Sequence, residues 1–301
     1  MKIKGIHAAP ALLIVIGALL CGANLIDIEA ISKNTNVYLT IMVLELIILG
    51  VPAAFFCILR GGSYSKELRL RMMQTRHVTI TIWAFLFMTC GSIALSFLLY
   101  HFFPDAFVSS AMGGALRATE GSRLYLLITF ALLPALLEEF LFRGILSAEY
   151  SSYGAGVAVI ISSLCFGLLH FSFVRLPIYF FMGVVLSLTA GATRSLVPPI
   201  LIHGANNAFV LFFETYLYRI AGKHSGGLIL LAFLIGVSTL VFAILFFSRA
   251  EKLYYGYGVM NRPSPLIRKR KAGELSLPAQ AFLSPTFLLF AVFSIILTVF
   301  L

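Results

Sequence analysis

The sequence predicts an all-α polytopic membrane protein: a transmembrane helix bundle of about eight or nine spans with a polar intramembrane cavity. Hydrophobic residues make up 60% of the 301 residues and charged residues only 11%, and the mean hydropathy is +1.00. Soluble domains usually carry about 25% charged residues. The apolar residues also fall into stretches long enough for a helix to cross a bilayer, which takes ~20 residues. Composition therefore argues against a soluble enzyme, a disordered chain and a coiled coil.

Nine apolar stretches follow one another along the chain, and each predicts one helix. Their approximate limits are 6–26, 37–59, 78–100, 122–146, 154–174, 176–193, 197–217, 226–247 and 282–301. The first stretch has the basic start and apolar core of a signal peptide but no small-residue cleavage site, so we expect a retained helix. Without that helix the bundle would have eight spans.

Basic residues predict the orientation of the bundle. Twelve of the 22 Lys and Arg residues lie in two connections, 60–76 and 249–271. Cytoplasmic loops are enriched in Lys and Arg, so both connections are placed inside, with the N-terminus. Arg175, Arg219 and Lys223 fit this orientation less well. The net charge of +10 is therefore interpreted as a topology signal, and no nucleic-acid partner is expected.

Three regions differ in their motif content. Residues 1–120 carry N-terminal membrane helices without a recognised motif, 121–218 hold a candidate catalytic core, and 219–301 hold C-terminal helices with a basic cytoplasmic loop at 248–281. The four Cys residues lie inside apolar stretches without C-x-x-C spacing. This pattern favours embedded apolar side chains over disulfides or metal ligands.

Ionisable residues inside the apolar stretches mark the candidate site. A charged side chain at the centre of a bilayer costs about 2.5–3.5 kcal/mol even on a lenient scale, and such residues usually have a function. In chain order, the acidic, basic and histidine residues considered are Glu45, Glu138, Glu139, Arg143, His170, His203 and Glu214.

Helix geometry gives the two adjacent glutamates different partners. Glu139 and Arg143 are four residues apart and share a helix face, so we expect an ion pair between them. Glu138 is turned by about 100° from Glu139 and needs a partner across the bundle. His170 is a candidate, because the midpoint between it and Glu138 is Gly154, where the chain should turn. Two antiparallel helices that turn there bring both side chains to a similar depth.

Two further pairs share a helix face by the same spacing: Phe166 with His170, and His203 with Asn207. Spacing alone leaves open that His203 and Asn207 only hydrogen-bond neighbouring helices. Pro198 and the proline after it predict a restricted helix start before His203. Because His203 lies early in its stretch and His170 late in its own, a short or tilted sixth helix, or deeper placement of the two prolines, is needed to bring them together.

Other intramembrane hydrolase sites do not match the sequence. No H-E-x-x-H zinc motif is present, no paired aspartates lie on two apolar stretches, and no G-x-S-x-G elbow occurs. A glutamate, two histidines and an asparagine remain as the polar set.

These residues resemble the three motifs of the CAAX-protease and bacteriocin-processing (CPBP) family of intramembrane proteases, also called the Abi or type II CAAX prenyl endopeptidase family. The similarity covers about 122–218, roughly a third of the chain. Each motif is short, but all three occur in the family's order and each lies in an apolar stretch. They are Glu138-Glu139-x-x-x-Arg143, Phe166-x-x-x-His170 and His203-x-x-x-Asn207.

The resemblance implies an intramembrane endopeptidase in an α-helical bundle. Glu138 would be the catalytic glutamate and His170 its partner in activating water. His203 and Asn207 would stabilise the oxyanion of the tetrahedral intermediate. The supporting residues would be Glu139, Arg143 and Phe166.

No cofactor is predicted, and zinc is the alternative. In a metal-dependent enzyme, Glu138, His170 and His203 would be the ligands. The expected partners are the lipid bilayer and a membrane-associated peptide or protein substrate, with or without a lipid modification. We expect a multi-pass protein of a prokaryotic cytoplasmic (inner) membrane. The alternative functions are a non-catalytic scaffold or bacteriocin-immunity factor of the same fold and, less favoured, a transporter with a proton relay.

Overall fold

A computed structural model describes residues 5–23, 25–28, 36–61, 68, 70–104, 123–221, 226–256 and 276–300. All regular structure in these ranges is helical, which confirms the predicted fold class. The basic run 268–271 and the centre of the predicted loop 248–281 lie outside the described residues, as does the side chain of Glu214.

Ten helices occur in the described part of the chain. They are α1 Gly5–Ala23, α2 Val37–Arg60, α3 Thr75–Phe102, α4 Arg123–Tyr153, α5 Ala155–Leu168, α6 Leu176–Thr193, α7 Val197–Ala221, α8 Gly226–Gly256, α9 Leu277–Phe282 and α10 Pro285–Phe300. Six of them, α1 to α4, α6 and α8, are long and apolar enough to cross a membrane. With the shorter apolar helices α5, α7 and α10 they form a polytopic bundle consistent with the eight or nine predicted spans.

Three helices differ in length from the sequence prediction. α4 continues to Tyr153, seven residues beyond its predicted end at 146, and α8 continues to Gly256, into the predicted loop. The added turn of α8 contains Ala250 and Leu253, which are good helix formers and are buried. α5 ends at Leu168, because the chain reaches a positive φ of 47° at Phe171.

Wide π-helical turns interrupt α2 and α4 where a proline follows. In α2 the segment Leu46–Gly50 precedes Pro52, and in α4 the segment Ile128–Leu132 precedes Pro134. Proline lacks the N–H that an α-helix needs and its ring clashes with the carbonyl four residues earlier, so a wider turn relieves both problems. A third π segment, Phe140–Leu146, follows the glutamate pair directly.

The core helices α4 to α7 approach one another closely. A Cβ added at Gly183 on α6 would lie 2.8 Å from the Cα of Ser163 on α5, so only glycine permits this contact. A Cβ at Gly204 on α7 would lie 3.2 Å from the Leu132 side chain on α4. The turn between α4 and α5 ends at Gly154, whose φ of 120° is one that glycine adopts readily. The chain therefore turns where the sequence predicted.

The other helices surround this core. α1 packs against α10, where Gly17 faces the ring of Phe293, and α3 packs along α8. α7 begins at Val197 and has two consecutive prolines in its first turn. Proline is accepted there because the first N–H groups of a helix have no partner within the helix. The predicted restricted start is confirmed.

Candidate active site

Glu139 is the centre of a buried polar network. Nη1 of Arg143 donates a hydrogen bond to Oε1 of Glu139 at 2.6 Å, and Nδ1 of His203 lies 2.8 Å from the same oxygen. Nη2 of Arg143 also donates to the carbonyl of Gly183 at 3.1 Å. The side chains of Glu139 and Arg143 are fully buried. The ion pair predicted from sequence spacing thus also links α4 to α6 and α7.

The hydrogen-bond partner of Nδ1 shows that this ring nitrogen of His203 carries a proton. An ionised carboxylate oxygen only accepts hydrogen bonds, so Nδ1 must carry a proton and donate it to Glu139. The opposite nitrogen, Nε2, lies 3.8 Å from Oε2 of Glu138. His203 therefore bridges the two adjacent glutamates, with one ring nitrogen directed to each.

Glu138 is held less tightly than its neighbour. Its side chain is 19% exposed, and its Oε2 is buried without a hydrogen-bond partner among the described residues. The 3.8 Å gap to His203 is longer than a hydrogen bond. His170 interacts electrostatically with both Glu138 and His203. The structure thus brings together Glu138, His170 and His203, and it leaves the Glu138 carboxylate free of a direct protein hydrogen bond at Oε2.

His170 lies two residues beyond the end of α5 and is held by Phe166. Nδ1 of His170 lies 2.7 Å from the carbonyl oxygen of Phe166, one helical turn earlier. A carbonyl only accepts, so Nδ1 is again the protonated nitrogen and Nε2 is the one left for a reacting molecule. The ring of Tyr179 on α6 stacks on the imidazole at a centroid distance of 3.9 Å.

Phe166 is a fully buried ring that contacts several residues of the site. Its centroid lies 4.7 Å from that of His170 and 5.6 Å from that of His203. The guanidinium carbon of Arg143 lies 4.7 Å from the same centroid, which is cation–π range. The ring therefore packs against both histidines and against the guanidinium of the ion pair.

Asn207 is half-buried on α7, one turn beyond His203. Its neighbour Asn206 is the more deeply buried residue, at 2% exposure, and its Oδ1 accepts a hydrogen bond from Thr89 on α3 at 3.3 Å. Sequence reasoning missed Asn206, although the Asn-Asn doublet in an apolar stretch was the available signal. The oxyanion role of Asn207 stays a prediction.

Glu45 on α2 is a third acidic residue near the site. One of its oxygens is buried without a hydrogen-bond partner among the described residues, and it interacts electrostatically with Glu138. The wide turn after Glu45 packs against α4, where a Cβ at Gly50 would lie 3.6 Å from the Leu137 side chain. The sequence identified Glu45 as an isolated membrane glutamate but gave no sign of its neighbour.

The three predicted zinc ligands are not grouped as a metal site. Within the described ranges, no three His, Cys, Asp or Glu side chains lie close enough together to hold a metal ion. Glu138, His170 and His203 have suitable donor atoms, and each histidine keeps Nε2 as a donor atom while its Nδ1 bonds to a protein oxygen.

The segment that holds this site matches a known family. Residues 120–209 match the model of the Rce1-like type II CAAX prenyl endopeptidases. Over this segment the chain is similar to the CAAX protease family. This CAAX-protease segment spans all of α4, α5 and α6 and the first half of α7.

The match to a curated relative is consistent with this similarity. The membrane-embedded CAAX protease MroQ of Staphylococcus aureus (strain USA300) is 37% identical over 91 residues, which cover 28% of this chain and 37% of the relative. The chain thus spans little more than a third of the relative that it matches. No solved structure matches the chain. Thr89 and Glu45 both lie outside the CAAX-protease segment, so helices beyond the family motifs also reach the site.

Proposed function

We propose that the protein is a membrane-embedded endopeptidase that hydrolyses peptide bonds of membrane-associated or lipid-modified proteins. Water activated by Glu138 and His170 would be the nucleophile. The observation that carries the proposal is that Oε2 of Glu138 is buried without a hydrogen-bond partner among the described residues and lies 3.8 Å from Nε2 of His203, while Nδ1 of His203 and of His170 is already bonded to a protein oxygen. The family match and the name of the relative support a peptidase over other water-using enzymes.

Glu138 is the proposed general base. It accepts a proton from water while the oxygen of that water attacks the carbonyl carbon of the substrate. A carboxylate in a water-poor site is a stronger base than one in bulk water. His170 offers Nε2 as a second acceptor that orients the same water. When the C–N bond breaks, the proton held by Glu138 passes to the departing amine.

His203 is the proposed oxyanion donor. Its Nδ1–H is fixed on Glu139, so a protonated ring offers Nε2–H toward the space beside Glu138. Asn207 is proposed as a second donor from the same helix. Such preorganised donors are usually a large part of catalysis in acyl transfer.

Cleavage assays with point variants test this function. Purified full-length protein in lipid vesicles is incubated with fluorogenic peptides, with and without a C-terminal lipid-modified cysteine. Glu138→Ala and His170→Ala should each lower the cleavage rate by about 10²–10⁴-fold. Cleavage at the wild-type rate in both variants would contradict the mechanism. Specific binding of a membrane protein without cleavage would instead favour the scaffold function.

Metal dependence needs its own test, because loss of Glu138 would inactivate a metal-free enzyme and a zinc-dependent enzyme alike. We propose the metal-free version. Incubation of the wild-type protein with a strong chelator, followed by removal of the chelator–metal complex, should leave the cleavage rate unchanged. Loss of cleavage that is restored by added zinc would assign a zinc-dependent mechanism to Glu138, His170 and His203.

The cellular setting follows from the same proposal. We place the protein in the cytoplasmic membrane of a prokaryote, where its substrates are peptides, bacteriocin precursors or other membrane proteins. Comparing protein N-termini between cells with the wild-type protein and cells with Glu138→Ala would identify them.

A further inference from the structure

Tyr179 on α6 is the ring that lies flat against His170. The two ring centroids are 3.9 Å apart and the planes differ by 22°, which is a stacked arrangement. Phe166 meets the same imidazole edge-on, with centroids 4.7 Å apart and an interplanar angle of 63°. Tyr179 and Phe166 also contact each other edge to face at 6.4 Å. His170 is thus enclosed by two aromatic rings from two different helices.

The backbone at His170 gives little support to its side chain. α5 ends at Leu168, and the residue after His170, Phe171, has a positive φ of 47°. A bulky residue rarely adopts that conformation unless its surroundings require it. His170 therefore lies in an irregular connection, where helix geometry does not fix the direction of the side chain.

One hydrogen bond does not orient the imidazole fully. The bond from Nδ1 to the Phe166 carbonyl restrains one nitrogen, but a hydrogen bond tolerates bending, so χ1 and χ2 of His170 can still change together and tilt the ring. Such a tilt would displace Nε2. A flat ring stacked on the imidazole opposes the tilt, because tilting separates the two faces.

We infer that Tyr179 is a positioning residue, which holds the plane of His170 so that Nε2 faces the water bound beside Glu138. The inference rests on the proposed function of His170. Tyr179 lies outside the three motifs. It can reach His170 because α6 packs closely against α5.

Variants of Tyr179 separate ring stacking from simple packing. Tyr179→Phe keeps the stacked ring and should retain most of the kcat that a variant without the ring loses. Tyr179→Leu removes the ring and should lower kcat about tenfold with KM little changed, since displacement of a reacting group lowers rate more than binding. Should Tyr179→Leu not fold, Tyr179→Met fills the space with a flexible chain and no ring.

The matched control is Phe181→Leu on the same helix. Phe181 contacts Phe87 edge to face at 5.2 Å and covers Gly91, so it packs toward α3. This variant loses a comparable aromatic ring without removing the stack on His170. It should keep kcat, even where its Tm falls as much as that of Tyr179→Leu.

A second measurement reports directly on the mobility of the His170 imidazole. Solid-state NMR of histidine-labelled protein, with the His170 signals assigned by their loss in His170→Asn, measures how far ring motion averages the C–H dipolar couplings of the imidazole. Wild type, Tyr179→Phe and Phe181→Leu should show nearly rigid couplings, and Tyr179→Leu reduced ones.

Two results would overturn the positioning role: unchanged His170 couplings in Tyr179→Leu, or an equal loss of kcat in Phe181→Leu. The NMR comparison needs no substrate. A wild-type protein that cleaves nothing would therefore overturn the proposed function, while the NMR result still decides the role of Tyr179.

Discussion

Glu139 serves two partners with a single oxygen atom. Oε1 accepts from Arg143 and from His203, while Oε2 is buried without a hydrogen-bond partner among the described residues. Sequence spacing predicted the ion pair and favoured a structural role for both of its members. The contact with His203 adds a role that spacing could not reveal, because it joins residues 64 positions apart.

Glu139→Gln tests that added role. The amide oxygen can still accept hydrogen bonds, but the buried Arg143 charge loses its counter-ion, so stability should fall by about 3 kcal/mol. The cleavage rate should fall about 10²-fold, because a neutral amide accepts the Nδ1–H of His203 more weakly than a carboxylate and orients the proposed oxyanion donor less firmly. Thermal unfolding in detergent and initial cleavage rates measure the two effects separately.

The double variant Glu139→Gln/Arg143→Gln is the matched control. Removing both charges should recover most of the lost stability, since no unpaired charge stays buried. The cleavage rate should stay low if Glu139 acts through His203. Recovery of both stability and rate would show that Glu139 serves only Arg143.

At the level of elements, the contact between α5 and α6 depends on one glycine. Gly183 allows its helix to lie against the Ser163 backbone, and its carbonyl accepts a hydrogen bond from Arg143. The site therefore depends on how closely two helices approach, as well as on the residues that they carry.

Gly183→Ala and Gly156→Ala should have opposite effects on stability. The new methyl group at 183 would lie 2.8 Å from Ser163 Cα, so α5 and α6 must separate, and we expect a loss of about 1–3 kcal/mol. At Gly156 nothing lies within 4 Å, and alanine should stabilise the helix by up to about 1 kcal/mol. Equal Tm changes in the two variants would contradict this account of the contact.

Some structural elements could be predicted from the sequence and others could not. The turn at Gly154 and the early prolines of α7 were predicted, because each depends on local backbone chemistry. The wide turns in α2 and α4 were not predicted, since they depend on how a helix accommodates proline within the bundle. The short α5 was also missed, although a short connection through α6 was recognised as necessary for His170 and His203 to meet.

Over the whole molecule, helices without family motifs are joined to the core by specific polar contacts. Thr89 on α3 donates to buried Asn206 on α7, and Arg60 at the end of α2 pairs with Glu149 in α4. Nine apolar stretches were readable from sequence because each is long and nearly free of charge. Which stretches contact one another was not readable, since such contacts involve single residues far apart in the chain.

Thr89→Val measures the strength of the link between α3 and the core. The substitution keeps the shape of the side chain but leaves the Asn206 carbonyl buried without its donor, which should cost about 1–3 kcal/mol. Thr239→Val on α8 is the control, because its hydroxyl bonds only to the carbonyl of Ile235 in the same helix. We expect a clear fall in Tm for the first variant and little change for the second. The reverse order would show that α3 adds nothing specific through Thr89.

The length of α5 has a consequence for the lipid around the protein. Its 14 residues rise only ~21 Å, against a hydrocarbon layer of about 30 Å. The connection that carries His170 thus ends inside the depth of the acyl chains, where unpaired backbone groups must be covered by protein or water. A bilayer that thinned beside α5 would match the short helix, at an elastic cost that grows with the length of the lipid chains. We therefore expect the connection that carries His170 to respond to bilayer thickness.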